Sequence, residues 1–342
     1  MIYRSKAPLR IGLAGGGTDV SPYSDLYGGA ILNATISLYA NASIEPLKEP
    51  KIILEANDRD EREEWDLAPE LPINNHLDLL KGVYNCVVRD YGAIHTGFRL
   101  STFVDAPAGS GLGTSSTLVV AIIGAFAEML RLPLGEYDIA HYAYEIERNY
   151  LRLAGGKQDQ YAATFGGVNY MEFYADEKVI VNPLRIKQQY LFELENNLVL
   201  YYTSTSRESA KIIEQQSKNV VAKNESSIEA MHQLKHQSLL MKEALLKGKV
   251  DQFGDILDFG YQQKIKMAAG ISNELLANIY ETAKSAGATG GKISGAGGGG
   301  FMIFYCPKTT KYRVIKALEQ FGGVNRNYNF VEHGLMTWTS GS

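Results

Sequence analysis

The sequence predicts an α+β protein built in two halves. Strand-like and helix-like segments arrive in runs of their own kind and not in regular βαβ alternation, which points to layered sheets and helices in both halves. With 342 residues, 45% of them hydrophobic, the chain exceeds what a single core usually organises. No Pro/Ser-rich linker marks a border, so the division is placed where one strand series ends, near residue 188. That gives an N-terminal half over residues 1–188 and a C-terminal half over 189–342.

Along the chain, "RIGLAG" and "GAILNATISLYANASIEPL" alternate as strands bounded by Gly and Pro. "NNHLDLLKGVYNCVVRDYG" reads as a helix with an Asn cap and a glycine stop, followed by strand "GFRLSTFV" and a helix over 115–131. "LGEYDIAHYAYEIERNYLRLAGG" reads as a further helix ending at paired glycines, and strands "GVNYMEFYA" and "KVIVNPL" close the first half. Strand "NLVLYYT" opens the second half, which is then mostly helical from 206 to 286. Strands "GGKIS" and "FMIFYC", helix "TTKYRVIKALEQFG" and a last strand pair around "YNFVE" and "LMTWT" complete it. No internal repeat or low-complexity tract interrupts the order.

Composition excludes several classes. A net charge of −4, from 34 basic and 38 acidic residues without a long run of either sign, offers no phosphate-reading surface for nucleic acid. Cys86 and Cys306 are the two cysteines and lack metal-like spacing, so neither a disulfide framework nor a zinc site is expected. The N-terminal stretch has no apolar core after its charges, and no run approaches a membrane span. A soluble cytoplasmic protein without a membrane role is the expectation.

Glycine is the informative residue. The 34 glycines exceed the ordinary ~7% and concentrate at 14–19, 108–113 and 290–300. Glycine is favoured where φ is positive or where another group approaches the main chain closely. Three dense clusters therefore suggest one ligand site lined by backbone, against the alternative of three tight turns. The middle cluster, "PAGSGLGTSS", runs into an apolar helix, so its N–H groups and the helix dipole suit a polyphosphate. Thr114, Ser115 and Ser116 can cap that helix or ligate Mg²⁺ held by those phosphates. No Walker-type loop occurs, and the G-x-G-x-x-G at 295–300 leads into a strand where the dinucleotide fingerprint needs a helix. "DFG" at 258–260 comes after the loop with no H-R-D before it, which excludes a protein kinase.

Phosphoryl transfer also needs a metal carboxylate and a group beside the attacking hydroxyl. With Ile139, Ala143, Ile146, Tyr150 and Leu153 forming an apolar stripe, Glu147 lies at its edge and Glu145 points further out. Glu147 is the metal-ligand candidate, its alternative being an exposed partner of Arg148 or Lys157. Asp159 is either a base or the cap of a short segment, and Lys157 would favour its ionised form if the two side chains meet. Arg207, after Ser and Thr at a helix start, is either a surface arginine or a contact for the phosphate of a sugar phosphate.

"PAGSGLGTSST" resembles the P-x-x-x-G-L-G-S-S-A signature of the GHMP kinases, "KISGAGGGG" their C-terminal glycine motif and "KAPLRIGLAGGGTD" their N-terminal motif, in the family's order over residues 6–301. Within that family, "PLRIGLAGGGTDV" and "GKQDQYAATFGG" are most similar to the heptose 7-phosphate kinase branch, with fucokinase close by. Galactokinases carry an acidic residue and a histidine where this chain has Gly16 and Gly17. The resemblance implies an N-terminal domain like domain 2 of ribosomal protein S5, a ferredoxin-like C-terminal domain, and a site between them.

By the same resemblance, Pro107, Gly109, Ser110, Gly111, Leu112, Gly113, Thr114, Ser115 and Ser116 wrap the phosphates of ATP. Ser115 and Glu147 bind Mg²⁺, Asp159 is the catalytic aspartate, and Arg10 steadies the transferring charge. Gly16, Gly17, Thr18, Asp19, Lys157, Arg207, Ser294, Gly295, Gly297 and Gly298 are expected around the sugar, with Asp19 on a hydroxyl. The expected activity is ATP- and Mg²⁺-dependent phosphorylation of the anomeric hydroxyl of heptose 7-phosphate, by a monomer or homodimer. A kinase for a free sugar such as fucose, or a silent sensor of the same fold, is the alternative.

Overall fold

The computed structural model describes residues 1–205 and 209–341. Its strands are β1 (Ile2–Ala14), β2 (Gly29–Pro46), β3 (Lys51–Ala56), β4 (Glu61–Asp66), β5 (Phe98–Val104), β6 (Val168–Phe173) and β7 (Val179–Pro183), then β8 (Leu198–Tyr202), β9 (Gly290–Ile293), β10 (Phe301–Tyr305), β11 (Val324–Asn325) and β12 (Met336–Ser340). Among the described residues one sheet runs β12-β1-β2-β5-β3-β4, with β6 and β7 branching from β2, and a smaller one runs β11-β8-β10-β9. The 18-residue length of β2 makes the branch possible: its Gly29–Ala34 end pairs with β6 and its Ala40–Pro46 end with β5.

The helix Thr114–Leu130, apolar through most of its length, is buried on almost every side against β1, β2 and the neighbouring helices. Helices Ser209–Val221, Glu225–Leu246, Phe253–Met267 and Glu274–Ser285 follow one another in the second half, and helix Lys311–Leu318 comes after β10. Phe253–Met267 packs on β9, and Glu225–Leu246 lies on β1 and β2 of the larger sheet. One apolar cluster consequently runs through both halves, from Leu9 and Ile36 to Met241, Phe253 and Ile303.

Several expected elements differ in detail. The helix Asp78–Tyr91 has Leu77, not an asparagine, at its N-cap, and the Asp78 carboxylate instead accepts from the amides of Asn74 and Asn75. The helix expected to reach the glycines after Leu153 is α-helical only over Glu136–Glu145, then continues as a π-turn, Ile146–Tyr150. β4 reads "EREEWD" and carries no strand-like apolar alternation, because an edge strand needs only backbone partners on one side. "YNFVE" contributes an isolated bridge from Phe330 to Ile36, while "LMTWT" returns as β12 to pair with β1 in the larger sheet. The sheets therefore do not divide the chain at a single point.

Two of the glycine clusters interlock. A Cβ on Gly111 would lie 2.5 Å from the Ser294 carbonyl oxygen, one on Gly295 would lie 2.7 Å from the Gly111 Cα, and one on Gly300 would lie 2.4 Å from the Ser110 carbonyl oxygen. The Phe301 amide donates to the Ser110 carbonyl at 2.9 Å and the Ser294 hydroxyl to the Gly111 carbonyl at 2.8 Å. Main chain lies on main chain here, which only residues without side chains permit. Gly111→Ala is expected to destabilise the fold by about 1–3 kcal/mol, from contact and positive φ together. Gly92→Ala, where φ is positive but nothing lies within 4 Å, supplies the strain-only control in denaturant titration and is expected to cost less.

Candidate active site

The interlocked glycines wall a cavity of about 340 Å³ between the halves. Arg10, Asp19, Glu147 and Asp159 line it from the first half, and Gln216, Lys264 and Gly295 from the second. Gly109, Gly111 and Gly113 all have positive φ, turning the chain sharply just before helix Thr114–Leu130. Gly109, Gly111, Gly113, Thr114, Ser115 and Ser116 border the cavity, whereas Pro107, Ser110 and Leu112 are not among its lining residues. Ser110 and Leu112 are fully buried, and the Leu112 carbonyl accepts from the Arg10 amide.

The hydroxyls after the loop do not cap the helix. Gly113 occupies the N-cap without a side-chain bond, and Thr117, a turn later, donates to its carbonyl. Ser115 Oγ instead donates to Glu147 Oε1 at 3.3 Å. Gln160 Nε2 donates to Glu147 Oε2 at 2.5 Å and to Ser116 Oγ at 3.2 Å. Glu147 is 1% exposed, on the π-turn, so the expanded turn carries a buried carboxylate to the cleft edge beside a hydroxyl. A carboxylate and a hydroxyl are hard oxygen donors, and the pair fits Mg²⁺.

Arg10, 3% exposed, ties the chemistry together. Its Nε and Nη2 contact Asp159 Oδ1 at 2.7 and 2.6 Å, while Nη1 donates to the Gly111 carbonyl at 2.6 Å. Asp159 lies in the first turn of helix Gln158–Phe165, and a Cβ on Gly113 would sit 3.2 Å from its carboxyl carbon. The carboxylate is thus fixed between a guanidinium and the end of the glycine loop. Lys157 does not meet it: the Lys157 ammonium pairs with Asp25 at 3.1 Å and borders an adjoining cavity of about 430 Å³.

Asp19 is 2% exposed, and its Oδ2 accepts from the amides of Lys157 at 2.9 Å and Gln158 at 3.1 Å. Burial pushes its carboxyl above the usual range, the Asp159 charge adds to that, and the amides oppose it. Gly156 must be glycine, since a Cβ there would lie 1.9 Å from Asp19 Oδ2. Among the other residues expected near the sugar, Gly17 and Gly295 line the cavity. Thr18 braces its own turn through Gly15 and Ala30, and the Gly16 carbonyl accepts from Lys264. Ser294 holds the glycine interlock, and Gly297 and Gly298 pack on Ile271, away from the cavity lining. Arg207 lies outside the described residues.

Sequence reasoning missed three groups. Lys264, in the last turn of helix Phe253–Met267, donates to the Gly16 carbonyl at 3.1 Å and is 6% exposed. Burial lowers its ammonium to about 8, with Asp19 opposing and Arg10 assisting. Lys292, on β9, donates to the Gly12 carbonyl, and burial, then Lys264 and Arg10, hold it well below its ordinary value. Gln216 is 1% exposed, and its Nε2 has no hydrogen-bond partner among the described residues. No local pattern marks these side chains, because each depends on a contact between distant segments.

Family models describe the same two parts: the GHMP kinases N terminal domain matches residues 78–167 and the GHMP kinases C terminal matches 241–324. The chain is 48% identical over 335 residues to the D-glycero-alpha-D-manno-heptose 7-phosphate kinase of Campylobacter jejuni, covering 98% of each. A crystal structure of a D-glycero-D-manno-heptose 1-phosphate kinase from Bacteroides thetaiotaomicron superposes with a TM-score of 0.85 at 46% identity, covering 99% of this chain and 100% of that one. The L-fucokinase/L-fucose-1-P guanylyltransferase of Bacteroides fragilis is 27% identical over 359 residues, covering 96% of this chain and 37% of that protein.

Because Lys264 is lowered to about 8 from an unfolded value near 10.5, the unfolded chain binds the extra proton between those values. This group's contribution to stability therefore rises with pH across that window and is constant below it. Denaturation from pH 7 to 11 is expected to show that rise in the wild type relative to Lys264→Met.

Proposed function

The chain belongs to the GHMP kinases, a family of phosphotransferases acting on alcohol groups, and we propose that it transfers the γ-phosphoryl group of ATP to the anomeric hydroxyl of D-glycero-D-manno-heptose 7-phosphate, giving the 1,7-bisphosphate. That it is a sugar kinase follows from its close relatives. The two relatives are named for different phosphate positions. The choice of the 7-phosphate rests on the 48% identity to the Campylobacter jejuni enzyme over nearly the whole chain.

The observation that carries the reading is the meeting of Arg10, Asp159, Ser115 and Glu147 around one cavity behind the glycine loop. Asp159 accepts the proton of the acceptor hydroxyl, which is more acidic at an anomeric carbon than in an ordinary alcohol. Arg10 holds that carboxylate in place, and its remaining N–H groups face charge on the transferring phosphoryl group. The amides of Gly109, Gly111, Gly113, Thr114, Ser115 and Ser116 hold the donor's phosphate oxygens, and Asp19 takes a sugar hydroxyl. Mg²⁺, when bound by Ser115 and Glu147, supplies charge neutralisation on those oxygens. Because the transition state is loose, positioning and charge stabilisation outweigh the base. We assign this machinery mainly to residues 1–188, and closure over the acceptor to 189–342.

Two measurements test the reading. ADP release with heptose 7-phosphate, fucose and galactose is expected to be fastest, by kcat/KM, for heptose 7-phosphate; preference for free fucose would move the assignment to the other sugar, and no turnover of any sugar would leave a silent sensor. Asp159→Asn is expected to lower kcat by about 10²–10⁴-fold with little change in KM for ATP. Wild-type turnover at saturating substrate would remove Asp159 from the mechanism.

A further inference from the structure

The cleft contains hydrogen-bond donors that this mechanism does not use. Lys264 Nζ has one acceptor among the described residues, the Gly16 carbonyl at 3.1 Å, and no carboxylate within ion-pair distance. An ammonium has three N–H bonds to satisfy, and an amide nitrogen has two. Gln216 Nε2 is buried with no acceptor among the described residues. The two side chains come from different helices, Phe253–Met267 and Ser209–Val221, and both line the cavity.

Both side chains reach Gly17, the lysine by its ammonium and the glutamine by the oxygen end of its amide. A Cβ on Gly17 would lie 3.5 Å from Lys264 Nζ and 3.6 Å from Gln216 Oε1. Gly17 has φ of +104° and lies two residues before Asp19, which a Lys264 charge attracts. A side chain at Gly17 would stand between the two groups and would also strike Met267. Buried donors left unsatisfied are costly, and their complement is an oxygen-bearing ligand. Their neighbours are Gly16, Gly17 and Asp19.

We propose that Lys264 and Gln216 are specificity-determining residues that donate hydrogen bonds to oxygen substituents of the acceptor sugar, beside Asp19. The pair makes the second half an active reader of the acceptor as well as its lid. Hydroxyl and phosphate oxygens share the required chemistry. The proposal rests on the sugar-kinase reading but not on the identity of the sugar.

Steady-state kinetics of the full chain with Lys264→Met and Gln216→Leu test it, using heptose 7-phosphate and unphosphorylated heptose. Each substitution is expected to raise the acceptor KM at least tenfold while the KM for ATP stays within twofold. Loss confined to the phosphorylated acceptor assigns the contact to its phosphate, and equal loss on both assigns it to a ring hydroxyl. Unchanged acceptor KM in both variants overturns the proposal, as does a fall in kcat alone. Gln216→Asn, which keeps the amide but withdraws it, is the milder variant should either substitution fail to fold, and the same acceptor-only effect is expected. If the wild type turns over a different sugar, the same series on that sugar decides this proposal separately from the heptose assignment; if it turns over none, calorimetric binding of heptose 7-phosphate decides it, with equal binding by wild type and variants overturning it.

Discussion

The contact of backbone on backbone between the loops at 108–113 and 294–300 is the constraint on which the site depends. Gly111 and Gly295 approach so closely that a methyl group on either would overlap the other loop's main chain. That contact sets the distance between the halves and leaves the Gly111 carbonyl in reach of both Ser294 and Arg10. Arg10 in turn holds Asp159. A change in the interlock is therefore transmitted through a single guanidinium to the Asp159 carboxylate.

Charge is distributed around that contact with a bias toward cations. Arg10, Lys264 and Lys292 are withdrawn from bulk water and interact electrostatically with one another, while Asp19 and Asp159 are the carboxylates coupled to them. Burial lowers both lysines because an ammonium in a poorly hydrated site loses more solvation than a backbone carbonyl returns. An incoming phosphate or polyol would restore part of that solvation. The same cleft that penalises its empty ammonium groups is thereby disposed to bind anionic, oxygen-rich molecules. Glu147 is held by Ser115 and Gln160 and lies 3.7 Å from Arg148 Nη1.

Much of the site was legible because its requirements are local. Positive φ at Gly109, Gly111 and Gly113 needs glycine whatever lies around it, and helix periodicity brought Glu147 to the edge of the apolar stripe. Other expectations failed where a nearby residue was taken for a partner. Lys157 is two positions from Asp159 in sequence, yet its ammonium turns to Asp25, and Arg10, 149 positions away, makes the ion pair instead. Thr114, Ser115 and Ser116 are suitable caps by residue type, but the loop places Gly113 at the N-cap, so no side chain caps it. Charged β4 and the returning β12 were hidden or misplaced because strand pairing depends on which edge is open, not on apolar alternation alone.

Taken by itself, the amino-acid order determined the α+β class and the three glycine clusters, and it singled out Glu147 and Asp159 as the acids to watch. These follow from backbone conformational preference and from periodicity, which act over a few residues. Only the tertiary structure decided that two clusters interlock, that Arg10 and not Lys157 accompanies Asp159, and that Lys264 and Gln216 enter the cleft. Ion pairing and desolvation depend on distance in space, and residues such as Gly16 and Lys264, 248 positions apart, become neighbours only once the sheets and helices have packed.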